Sequence, residues 1–240
     1  MKWELDAHDI EVLTVILGGL FSYCVAHYLL SATYFEAFFK NFDEASQKAN
    51  GYFTSQVARG LLMGLIGIFC AHRAGLSLAF LNLQPLAFLK SMGWALGAMV
   101  LFFPFLWMSA KKPNIQAAYP ELRVAPRDRA LVLNCAAGWF VFLLGYEIIF
   151  RGLILHYGIQ AWGLWPGIAV MTGLYVLAHM HKPASETLVC FIIGPAFAYL
   201  TLETGSLWTV IILHAMIAIV TENLAAHFNP EFTHLKNQST

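Results

Sequence analysis

Four ionisable side chains stand in stretches of sequence that are otherwise apolar. They are Glu147 and Arg151 in GYEIIFRGLIL, His179 in LYVLAHMHKP and His214 in SLWTVIILHAMIAI. Glu147 and Arg151 are four residues apart, one helical turn, so they share a face, and the acid lies on the N-terminal side as the better pairing orientation requires. Charges inside an apolar span pair with one another or line a polar cavity, which makes them functional candidates. A structural ion pair that locks two helices together is the other reading, and spacing alone does not separate the two. A lone histidine in an apolar helix is more often a hydrogen-bonded core residue than a catalyst. Taken together, though, a carboxylate beside neutral imidazoles can deprotonate water, and an imidazole can stabilise an oxyanion. Two His and one Glu could also hold zinc with an open position. The HExxH spacing is absent, so neither a metal nor another cofactor is expected.

The elements that must position these groups are long and apolar. Of 240 residues, 59% are hydrophobic, 15% are aromatic and 12% are charged, with 14 basic residues balancing 14 acidic ones. A soluble domain carries about 25% charged residues. Low charge excludes a disordered chain, and zero net charge gives no positive field for a nucleic-acid partner. The apolar blocks approach the roughly 20 residues that cross a bilayer. The expected fold is an all-α polytopic transmembrane bundle of about seven spans in a single membrane domain, with the bilayer as its first partner. The spans are read at Val12–Tyr34, somewhere within Phe53–Leu81, Leu86–Met108, Ala130–Tyr157, Pro166–His179, Leu188–Leu202 and Leu207–Ala225. The second is the least regular, being interrupted by Arg59, His72 and Arg73. Counted in from the span ends, Glu147, His179 and His214 fall within roughly 9 Å of one another along the membrane normal, close enough for one cavity.

Residues 109–128, rich in proline and basic residues, read as a solvent-exposed cytoplasmic loop. With seven spans, ten lysines and arginines between Lys40 and Lys236 fall on one side, against Lys2, Arg73 and Lys90 on the other. That asymmetry puts the N-terminus outside and the C-terminus in the cytoplasm. The N-terminal MKWELDAHDIE is acidic and precedes no small-residue cleavage site, so the first block is expected to be a permanent span rather than a removable signal. Cys24, Cys70, Cys135 and Cys190 are far apart and read as small apolar residues.

YEIIFRG, YVLAHMHKP and LETGSLWTVIILHA, in this order, resemble the three motifs of the CAAX-prenyl-endopeptidase and bacteriocin-processing (CPBP or Abi) family of glutamic-type intramembrane proteases, EExxxR, FxxxH and HxxxN. The resemblance covers roughly residues 129–225 and implies a protease-like core there. It implies that Glu147 matches the family's second Glu, Arg151 its Arg, Tyr175 the phenylalanine of FxxxH, and His179 and His214 its two histidines. The chain departs from the pattern twice. The first Glu, expected to activate water, is Tyr146, which is no base near neutral pH. The Asn that shares oxyanion duty is Ala218. Glu147 is displaced by about 100° around the helix from position 146 and sits beside Arg151, so it substitutes poorly.

Three functions follow as expectations. One is an intramembrane endopeptidase that uses Glu147, His179 and His214, supported by Arg151, Tyr146 and Tyr175, on a membrane-protein or peptide substrate. A second is a catalytically inactive pseudo-protease that serves as a binding or assembly subunit of a membrane complex. The third, a transporter with the ion pair as a gate, finds no inverted repeat to support it.

Overall fold

The computed structural model describes residues 7–125 and 127–232, and among them the regular structure is entirely helical. In chain order the α-helices are α1 (Ala7–Leu29), α2 (Ala32–Glu36), α3 (Glu44–Arg73), α4 (Pro85–Ser109), α5 (Pro113–Ala118), α6 (Arg129–Glu147), α7 (His156–Trp162), α8 (Leu164–Ala178), α9 (Ala184–Thr204) and α10 (Trp208–Phe228). A π-helical segment, Ile148–Leu155, joins α6 to α7 without a break. Helix starts follow side-chain chemistry: Ser31, Asp43 and Asp128 each accept a backbone N–H of the first turn. Pro85 occupies the first turn of α4, where its missing N–H costs nothing. Gly163, at φ 88°, reverses the chain between α7 and α8.

Six helices are long and apolar enough to cross a membrane: Ile10–Leu29, Glu44–Arg73, Pro85–Ser109, Arg129–Trp162, Ala184–Thr204 and Trp208–Phe228. The protein is thus a polytopic helical membrane bundle. The fifth expected span, Pro166–His179, corresponds to α8, which has 15 residues, or about 22 Å, less than a full crossing. The irregular second block is one unbroken 30-residue helix. Arg59 is tolerated there because its Nε donates to the Leu30 carbonyl at 2.9 Å and its Nη2 to that of His27 at 3.4 Å. His72 and Arg73 fall in the last turn, where a helix favours cations.

Residues 109–128 depart from the expected exposed loop. Ile115, Tyr119, Leu122 and Val124 are buried. Ile115 and Tyr119 pack with Ala225 of α10, and Leu122 and Val124 with Tyr52, Leu131 and Cys135. The prolines and charges mark a chain reversal correctly, but the apolar residues between them cap the end of the bundle. Lys2 and Lys236, counted in the orientation argument, lie outside the described residues.

The core sits around the π segment, all eight residues of which are buried. α3 packs along α6, α10 against α4 and α6, and α8 between α7 and α9. At the α3–α6 crossing the backbones touch: a Cβ on Gly145 would lie 1.9 Å from the Gly60 carbonyl oxygen. Membrane helices use small residues in this way to bring backbones together, and here the contact fixes the helix turn that carries Tyr146 and Glu147.

Candidate functional site

Glu147 closes α6 and is fully buried. Its two oxygens accept from Arg151 Nη1 at 3.2 and 3.1 Å, and Oε1 also lies 2.6 Å from His214 Nδ1 on α10. The carboxylate therefore ties two helices together as well as neutralising its own helical neighbour. Arg151, equally buried, places its guanidinium carbon 4.1 Å from the centre of the Tyr175 ring and 5.2 Å from that of Phe197. Aromatic faces thus supply part of the cation's solvation. The π segment begins directly after Glu147; such widened turns are frequent at functional sites.

His179 follows the last residue of α8, and its Nδ1 lies 2.9 Å from the Tyr175 carbonyl oxygen and 3.3 Å from the Tyr146 hydroxyl. A carbonyl can only accept, so Nδ1 carries the proton and Nε2 is the acceptor. The same reasoning applies to His214, whose Nδ1–H faces the Glu147 carboxylate. Tyr146 stacks on Phe150 with ring centres 4.4 Å apart, and lies 5.8 Å from the His214 ring and 6.0 Å from that of His179.

Tyr146, Tyr175, His179, His214, Ala218 and Thr221 line one cavity of about 770 Å³. Glu147 and Arg151 are not among its lining residues. The structure thus brings all six sequence-derived residues into one cluster, but only four of them meet the cavity. Adjacent residues of a helix point about 100° apart, and Tyr146 takes the inward direction while Glu147 takes the sealed one.

Several residues at the site carry no signal in the sequence reading. Tyr23 of α1 donates to the Ala178 carbonyl at 2.5 Å and meets the Tyr146 ring edge-on at 5.9 Å. At the cavity's other end, Lys182 pairs with Glu121, whose second oxygen accepts from the Tyr52 hydroxyl at 3.3 Å. Glu222 accepts the Glu121 backbone N–H at 2.9 Å and lies 3.7 Å from Arg127. Burial would raise the Glu121 carboxyl, but the Lys182 ammonium outweighs it and holds the group below its usual range. Burial likewise opposes the charge on Lys182, and Glu121 holds it above the usual lysine value. Burial, with His27 and Lys182 adding to it, pushes His181 down to about 4. Of these, Lys182 entered the sequence reading as a topology marker only. Its adjacency to HMH was the available clue, whereas Glu121 and Tyr23 become neighbours of the site only through tertiary packing. Among the described residues no group of three His, Cys, Asp or Glu side chains is arranged to hold a metal ion.

These features define a class, a polytopic helical membrane protein with a buried carboxylate–arginine–histidine unit behind a cavity. Residues 128–220 match the family model described as Type II CAAX prenyl endopeptidase Rce1-like. The matched segment contains Tyr146, Glu147, Arg151, Tyr175, His179 and His214, and the family resemblance carried by the three motifs is borne out over it. No curated protein and no solved structure matches the chain.

Proposed function

We propose that the protein is an intramembrane endopeptidase of altered layout, in which His214, backed by Glu147, replaces a cavity-facing glutamate as the base. The observation that carries this reading is the 2.6 Å contact between Glu147 Oε1 and His214 Nδ1, with the rest of that imidazole on the cavity wall. A carboxylate on Nδ1 fixes the tautomer with a free Nε2 lone pair and stabilises the imidazolium formed when that nitrogen takes a proton. Water held in the cavity gives its proton to His214 Nε2 as its oxygen adds to the peptide carbonyl. The Tyr146 hydroxyl, protonated near neutral pH, donates to the resulting oxyanion. His214 then returns the proton to the leaving amine, and the C–N bond breaks. His179, fixed through its Nδ1, shapes the opposite wall. Substrates on this reading are membrane-embedded or membrane-anchored peptides. The basic residues favour an N-terminus outside and a C-terminus in the cytoplasm. That orientation requires α8, though short, to return the chain to the side of residues 109–128, and the Lys182–Glu121 pair supports this.

The test compares new peptide termini in membranes from cells producing the wild type or variants. His214→Ala should abolish protein-dependent termini, Glu147→Gln should lower their rate of appearance by at least about 100-fold, and Tyr146→Phe by about 100- to 1,000-fold. A pseudo-protease is the second reading, favoured by Tyr146 itself: it occupies the position of the family's base and is enclosed by Tyr23, Phe142, Phe150 and Tyr175. Unchanged termini in all three variants, with stoichiometric co-purification of another membrane protein, would establish that reading instead.

A further inference from the structure

The cavity that passes Tyr146 has two further ends of opposite character. One lies between α4 and α9, lined by Phe102, Phe105 and Leu106 of the first and Val189, Ile192 and Ile193 of the second. Phe105 and Ile192 are largely exposed on the bundle's outer face, so this end is a window toward lipid. It lies near the C-terminus of α4 and the N-terminus of α9, about one or two helical turns from those ends. The other end carries charge: Arg59, Lys112 and Lys182 line it, with His27 and His181, facing Glu121 and Glu186.

The charges there do not cancel locally. Lys182 is neutralised by Glu121, and Glu186 is engaged by the Tyr119 hydroxyl at 2.9 Å. Arg59, half-buried, has no carboxylate within ion-pair distance among the described residues; its Nε and Nη2 bonds go to backbone carbonyls, and Nη1 has no hydrogen-bond partner there. Lys112, at the mouth, is in the same position as regards carboxylates. A partly desolvated guanidinium that shares the Glu121 carboxylate with Lys182 and has no ion pair of its own favours a further anion, and its planar fork suits a phosphate.

We propose that this cavity binds an anionic membrane lipid, its head-group phosphate at Arg59 and its acyl chain leaving through the window between α4 and α9. The window favours an acyl chain over an extended peptide. Its walls are apolar side chains on complete helices, whose backbone groups are already paired and have nothing to offer a peptide's N–H and C=O groups. The polar end lies beside the ends of α1 and α8 and the start of α9, so head and chain would stay within a single leaflet. The cavity volume falls in the range of small-molecule sites, roughly 300–1,000 Å³. The binding is independent of whether the site cleaves peptides.

Native mass spectrometry of the full chain, released from nanodiscs of equal phosphatidylglycerol and phosphatidylcholine, tests this. The wild type should retain one phosphatidylglycerol, preferred over phosphatidylcholine by roughly tenfold, the worth of one charge-assisted contact. Arg59→Gln should lose the preference, Arg59→Lys should keep most of it, and Lys90→Gln, on the far part of α4, should leave it intact. Ile192→Trp, which narrows the window, should reduce retention of either lipid. Inorganic phosphate at millimolar concentration should not displace the lipid. Equal retention of both lipids by the wild type, or full preference in Arg59→Gln, overturns the proposal. Efficient displacement by inorganic phosphate would show a head-group site without a chain site and overturns it as well. Should Arg59→Gln not fold, Ile192→Trp and the phosphate competition decide.

Discussion

One stretch of α6 is sealed: Gly60 and Gly145 bring it against α3, and on its other face the Glu147–Arg151 pair is closed in by His214, Tyr175 and Phe197. On the side facing α4 and α9, Phe105 and Ile192 border a cavity, and the Glu121–Lys182 pair stands at its polar end, partly exposed. Both flanks hold an ion pair, yet the surroundings give the pairs different weight. In a fully buried pair each charge depends on the other, because no water replaces a lost partner. At the cavity end, solvent and neighbouring polar groups share that work.

The sharpest way to break the contrast is Arg151→Met, which leaves the buried Glu147 carboxylate with only His214 as a partner. It should lower stability by about 3–5 kcal/mol, measured as unfolding in detergent micelles. The double variant Glu147→Leu with Arg151→Met should recover much of that loss; if it does not, the pair's worth is specific rather than mutual. Next in size, Gly145→Ala should cost about 1–3 kcal/mol, because backbone rather than a flexible side chain meets the new methyl. The same variant should displace Tyr146 and thereby test whether helix contact sets the site.

The open flank should respond to pH first. His181 has a folded-state value of about 4 against a usual 6.5. The unfolded chain therefore binds more protons between those values, and stability should fall as pH drops from 6.5 to about 4. His181→Asn should flatten that part of a melting-temperature profile, whereas an unchanged slope would assign it elsewhere. Glu121, held below its usual 4.5, contributes stability above that pH and loses it as pH falls through its lower folded value. Smallest of all, Glu121→Gln at neutral pH should cost on the order of 1 kcal/mol, since the pair it breaks is partly solvated. A loss as large as that of Arg151→Met would erase the difference between the two flanks.

Much of this architecture is readable along the chain because a bilayer imposes a length and a composition. The helices Pro85–Ser109, Ala184–Thr204 and Trp208–Phe228 lie within a few residues of the apolar blocks that announce them. Hydropathy misjudges α8, whose apolar run is short, and the 109–128 segment, where isolated apolar residues such as Ile115 and Leu122 are hidden among prolines and charges. The i, i+4 spacing of Glu147 and Arg151 foretells their contact, and the motif order foretells that His179 and His214 approach the same helix. The direction each side chain takes is less accessible. Neighbours 146 and 147 diverge, and only the packing of α3, α8 and α10 around them settles which one meets the cavity.

The sequence by itself determined a membrane bundle, the buried acid–base pair and the substitution of Tyr146 and Ala218 into a protease-like pattern. These are properties of composition and short-range spacing, which the bilayer and the helix translate directly into structure. Tertiary structure alone decided that Glu147 faces His214 rather than the cavity, that Lys182 finds Glu121 across 61 residues of chain, and that Arg59 faces a cavity without an ion pair of its own. Those outcomes depend on which helices meet and how closely, and contacts between distant segments are fixed by packing that no local pattern encodes.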